Sequence, residues 1–163
     1  MITVDTDAED TQKKLDALKK AVSYKAIDGL TVAGAFLEKE MVHKIETGLQ
    51  PPLHPATIKN KGSSKQLQDT GELLSQIAFF TPLDNHDIVE VGIFGSRAKV
   101  AKWHEFGKDI DVTPKMRAYL HHIGIHLNPN TDKIHIPERS FLRTALAENE
   151  KKVKKIVKGE MKK

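Results

Sequence analysis

IHIPERSFLR, residues 134–143, is the corner on which the reading of this chain turns. Ile134, His135 and Ile136 alternate as a short half-buried strand does. Pro137 ends it. Glu138, Arg139 and Ser140 follow, and a helical run opens at Phe141, with Ser140 as its candidate cap. A strand-to-helix corner that mixes proline, charge and an aromatic ring is either a catalytic turn or a joint. A joint of this kind anchors its own helix or grips a neighbouring subunit.

Downstream, Leu142, Ala145, Leu146, Val153, Ile156 and Val157 fall on one stripe, with Lys151, Lys154, Lys155 and Lys158 on the other side. This is an amphipathic surface helix, expected over 140–163 and ending in a basic tail. Lysines on the solvent side need no nucleic acid to explain them. The rival reading is a basic protein that contacts DNA through this helix, consistent with a pI of about 9.2 and a net charge of +4.

Upstream, the spacing predicts a helix over 1–29, capped by Asp5, Thr6 or Asp7, with Ala8, Thr11, Leu15, Leu18 and Val22 on a stripe to be buried. Gly29 should break it. A second helix then carries Leu30, Ala33, Gly34, Leu37, Met41 and Ile45, and Gly48 stops it. Residues 48–69 are rich in proline, glycine and lysine and read as a long flexible loop. DTGELLSQI opens a short helix capped by Asp69 or Thr70. IAFFTPL and DIVEVGIF form a hairpin across DNH. AKWHEFG ends a helix at Gly107, DIDV is a candidate edge strand, and Thr113-Pro114 starts another helix. A second hairpin is expected from IHL to KIHIP across NPNTD. The expected fold is α+β, an antiparallel sheet of about four strands packed against helices.

The chain of 163 residues is long enough for one domain with a real core. It has no cysteine, which excludes disulfides, thiol chemistry and cysteine-based zinc sites. The acidic N-terminus does not read as a signal peptide, and no apolar run approaches the roughly 20 residues of a membrane span. His121, His122 and His126 invite a metal site, but Gly124 interrupts their helix and no nearby carboxylate completes a ligand set. WHEFG lacks the second histidine of a zinc-protease motif. G-x-S-x-G, P-loop and dinucleotide-turn patterns are all missing. Neither an enzyme nor a cofactor is expected.

Five motifs, in order, carry a resemblance: PLHPATIKNKGSSKQLQDTGELLSQI (52–77), VEVGIF, AKWHEFG, TPKMRAYL and IPERSFLR. Together they resemble the phage virion-morphogenesis and tail-completion proteins of the neck of tailed bacteriophages, including the Mu-like group, over roughly residues 30–147. AKWHEFG resembles that family's Ala-x-x-His-x-Phe-Gly, and IPERSFLR its Ile-Pro-x-Arg-x-Phe-Leu. Ser140 departs from the proline of many relatives.

The resemblance implies a structural virion protein in one tail-completion-like domain over 1–163, working as a homo-oligomeric ring, often of six copies. Its implied partners are the tail tube or tail terminator protein and the head–tail connector proteins, with room for non-specific contact with genome DNA. Its implied place is the virion, after assembly in the host cytoplasm. Candidate intersubunit or partner contacts are Lys59, Lys61, Thr70, Trp103, Phe106 and Arg139. Phe141 and Leu142 should pack inward, core packing is favoured for Trp103 and Phe106, and Arg139 is left free to pair with a carboxylate.

Overall fold

The computed structural model describes residues 8–82 and 87–162, with side chains described from residue 13. The expected caps Asp5, Thr6 and Asp7 and the DNH turn lie outside the described residues. So do the side chains of Ala8 and Thr11.

One helix, α1 (Ala8–Thr47), replaces the two that Gly29 was expected to separate. Gly29 sits inside it for a packing reason. A Cβ there would meet the backbone of Val157 at 3.0 Å, and one at Gly34 would meet Val89 at 2.7 Å and Phe79 at 3.0 Å. The helical cost of two glycines, about 1 kcal/mol each, is offset by close approach of neighbouring elements. The stripe Ala33, Leu37, Met41 and Ile45 is buried and forms the spine of the core. Gly48, at φ +102°, lies just beyond the last helical residue.

Residues 48–69, expected as a long loop without regular structure, contain a short helix. His54 caps α2 (Pro55–Lys61) by accepting the Ala56 amide, and Gly62 closes it in the left-handed region. Buried Gln66 exchanges two hydrogen bonds with the backbone of Leu49, and Gln68 donates to the Ile45 carbonyl. Side-chain amides thus take over the backbone pairing that proline and glycine deny this segment. In α3 (Glu72–Ser75) the cap position is Gly71, while the Thr70 hydroxyl accepts from the Glu72 amide at 3.4 Å.

The architecture is α+β, but with two separate two-stranded sheets in place of one of four strands. Strands β1 (Ile77–Phe80) and β2 (Glu90–Ile93) pair antiparallel as the expected hairpin, with Ile77 opposite Ile93. α4 (Ala98–Phe106) ends at Gly107 as expected. The second expected hairpin does not form. β3 (Lys108–Asp111) takes β4 (Lys133–Ile136) as its partner instead. The intervening chain includes α5 (Pro114–His122), capped by Thr113 as expected. Arg117 then donates to the carbonyls of Asn128 and Thr131, which ties the turn to α5 and leaves IHL unpaired. Among the described residues no ladder joins the two sheets.

The final helix, α6 (Leu142–Glu160), packs antiparallel on α1. The contacts run in order from Lys44–Glu148 through Asn149–Glu40 to Gly29 against Val157. Most of its expected stripe faces α1, but Leu146 is exposed, and the four lysines are on the outside. Among the described residues no helix is long and apolar enough to cross a membrane.

Candidate functional site

On α4, helical spacing places Ala98, Ala101 and Glu105 on one face, and the face is turned inward. Glu105 is a carboxylate in a core position, 4% exposed. Its Oε2 accepts the Phe141 and Leu142 amides, each at 3.0 Å. Its Oε1 accepts the Arg143 amide at 2.9 Å, the Ser140 hydroxyl at 2.6 Å and Arg143 Nε at 3.1 Å. One side chain therefore caps the N-terminus of α6, satisfying amides that a helix cannot pair internally and meeting its positive dipole end. Burial pushes the carboxyl up, and the hydrogen bonds from Ser140, Arg143, Leu142 and Phe141 outweigh it, holding Glu105 below the usual carboxylate value. Ser140, the expected cap, is a donor to the true one.

Arg139 is also turned inward, at 5% exposure. Its Nε donates to the Pro51 carbonyl at 2.7 Å and its Nη2 to the Pro52 carbonyl at 3.0 Å. Its backbone amide donates to the His104 carbonyl at 2.6 Å. The expected carboxylate pairing is therefore corrected. The planar fork fits two successive carbonyls, which proline leaves available and which carry no charge. Phe141 is fully buried, as expected, and Leu142 is half-buried. The corner joins the end of α4, the segment at 51–52 and the start of α6.

Beside it lies an open cleft of about 570 Å³, bordered by Lys61, Gln66, Thr70, Arg97, His104 and Arg139. Three of the expected contact residues, Lys61, Thr70 and Arg139, meet here. The cations are held by their own chain: Arg97 by Glu72, Lys61 by the Lys65 carbonyl, and Arg139 by the two proline carbonyls. The hydrogen bond from Arg97 holds the Glu72 carboxyl below its usual value. Burial, helped by the charge of Arg139, pulls His104 down to about 4, so the imidazole is neutral at neutral pH; its Nδ1 is buried with no hydrogen-bond partner among the described residues.

The other expected contacts are dispersed. Lys59 is exposed on α2. Trp103 is half-buried with Lys99 over its ring, outside the central cluster. Phe106, expected in the core, is 57% exposed with the Arg143 guanidinium 4.5 Å from its ring centre. It lies one residue past Glu105 and so cannot share its inward face. His121 and His126 touch edge to face at 4.6 Å. Among the described residues no group of three or more metal-ligating side chains comes together.

Two apolar surfaces are exposed. Every residue from 13 to 25 of α1 is exposed, including Leu15, Leu18 and Val22, which were expected to be buried. The reason is length: α6 runs out opposite the middle of α1, so α6 does not cover residues 13–25. On the hairpin, Phe80 and Phe94 stack edge to face at 4.5 Å with both rings exposed, and Ile88 is exposed beside β2. Glu105 was legible in principle, as a carboxylate at helical spacing from Ala98 and Ala101. No family model, curated protein or solved structure matches the chain.

Proposed function

We propose that this chain is a structural subunit of a tailed-bacteriophage virion, completing the tail or joining it to the head as one copy in a ring. The observation that carries the reading is the exposed stretch of α1 at residues 13–25. Soluble monomers rarely leave an apolar stripe such as Leu15, Leu18 and Val22 in water, and such surfaces mark interaction sites. The five ordered motifs supply the rest. The two most distinctive of them, AKWHEFG and IPERSFLR, are bound to each other through Glu105, so they act as one structural joint. A rigid joint with its charges tied internally suits a subunit that must hold shape under assembly.

The direct experiment is a nonsense mutation in the gene within the phage or prophage that encodes it. The expected result is unjoined heads and incomplete tails, with the chain detected by mass spectrometry in complete wild-type particles. Infectious, complete particles made without the chain would overturn the proposal. The DNA-binding alternative rests on the exposed lysines of α6. It requires binding that falls steeply with salt and is lost when Lys151, Lys154, Lys155 and Lys158 become glutamine.

A further inference from the structure

The two exposed apolar surfaces differ in charge. Residues 13–25 of α1 carry five lysines and one aspartate. The hairpin, from Ile77 to Ser96, has no lysine or arginine, and Asp87 and Glu90 are exposed on it. Each surface pairs an apolar centre with charge mainly of one sign: Leu15, Leu18 and Val22 with lysine on the helix, where Asp16 lies 3.9 Å from Lys19, and Phe80, Phe94 and Ile88 with carboxylate on the hairpin.

Within one chain the two cannot meet. The hairpin sits against α1 at Gly34, where Val89 and Phe79 close in. Leu18 is sixteen residues earlier on the same helix, about 24 Å away at 1.5 Å per residue. A helix does not fold back on itself to close that gap. Nor do two copies satisfy the helices by laying the lysine-rich stretches side by side, because like charges then face each other.

We infer that the first half of α1 docks on the β1–β2 hairpin of a second copy, head to tail. The contact uses different patches on the two partners. Repetition of such a heterologous contact closes into a ring when the rotation allows it. The inference rests on the proposed ring and names its surfaces. Lys19 and Lys20 meet Asp87 and Glu90 at the rim, while Leu15, Leu18 and Val22 lie on Phe80, Phe94 and Ile88.

Charge exchange tests it in solution, with the full chain and sedimentation velocity as readout. Lys19→Glu with Lys20→Glu should weaken self-association roughly a hundredfold or more, and so should Asp87→Lys with Glu90→Lys. All four changes in one chain should restore it, because the complementarity is reversed and kept. Circular dichroism and thermal melts of each variant establish that the fold is unchanged, as all four side chains are exposed. Association of the hairpin variant at wild-type strength while the helix variant fails would mean that helix pairs with helix, and would overturn the inference. So would failure of the fourfold variant to associate, or a wild-type chain that stays monomeric at its highest soluble concentration. A chain that assembles through this contact yet is missing from virions keeps the inference and sinks the virion reading. A virion ring built through other surfaces does the reverse.

Discussion

Glu105 is a charged side chain kept from water, and Leu18 is an apolar side chain surrounded by it. At Glu105 the chain satisfies the anomaly itself, with five donors from residues 140–143 converging on one carboxylate. At Leu18, 63% exposed, none of the described residues buries the side chain. A buried charge is paired within the fold, because the penalty for leaving it unpaired is incurred as soon as the subunit folds. An exposed apolar group carries a smaller penalty that can wait for assembly. The first kind of site holds the subunit together; the second is where a partner belongs.

The contrast breaks first at Glu105. Glu105→Ala should cost about 3–5 kcal/mol, because the amides of residues 141–143 and the Ser140 hydroxyl all lose their acceptor. A thermal melt reads this directly, and a loss below about 1 kcal/mol would mean that water replaces the carboxylate. Phe141→Ala, at a fully buried site, should cost about 3 kcal/mol by the same measurement. Arg139→Ala should cost about 2 kcal/mol, since the Pro51 and Pro52 carbonyls lose their donors. An unchanged melting temperature would return Arg139 to the class of intersubunit residues.

A pH titration sharpens the same side of the comparison. His104 is held down to about 4 in the fold against 6.5 ordinarily, so the unfolded chain binds its proton more readily. Its contribution is therefore complete above about pH 6.5 and is lost as pH falls toward 4. Glu105, also depressed, gives the same sign in a lower window, lost as pH drops below its ordinary value of 4.5. Stability should decline in two stages on acidification, and His104→Gln should flatten the upper one. The smallest effect belongs to the other region. Serine at Leu15, Leu18 and Val22 should change monomer stability by about 0.5 kcal/mol or less per site while abolishing self-association.

The contrast also explains what could be read from the sequence. Local signals were legible: the stripe from Ala33 to Ile45, the Thr113-Pro114 helix start, Gly107, the strand at 134–136 and the first hairpin. Each depends on neighbours in the chain. What was lost depends on distant residues. Gly29 reads as a breaker until Val157 is placed against it. The 48–69 segment reads as loose until Gln66 and Arg139 are seen to pin it. β4 looks like half of a local hairpin until β3 takes it from the other side of α5. Arg139 was singled out but given the wrong partner, because proline carbonyls leave no charge pattern to search for. Leu15, Leu18 and Val22 form the expected apolar stripe but are exposed, since periodicity reports a face and not what covers it.

Hydrogen exchange, followed residue by residue in the dilute subunit and in the assembled state, tests the difference between the two regions most directly. In the dilute subunit, amides of residues 37–45 and 142–146 should exchange only on global unfolding, while those of 13–25 exchange by local fraying. On assembly, residues 13–25 and the hairpin at 77–80 and 90–93 should gain protection together, with no change around Glu105. Equal protection of 13–25 in the dilute subunit, or an assembly that leaves that stretch unprotected, would contradict the account.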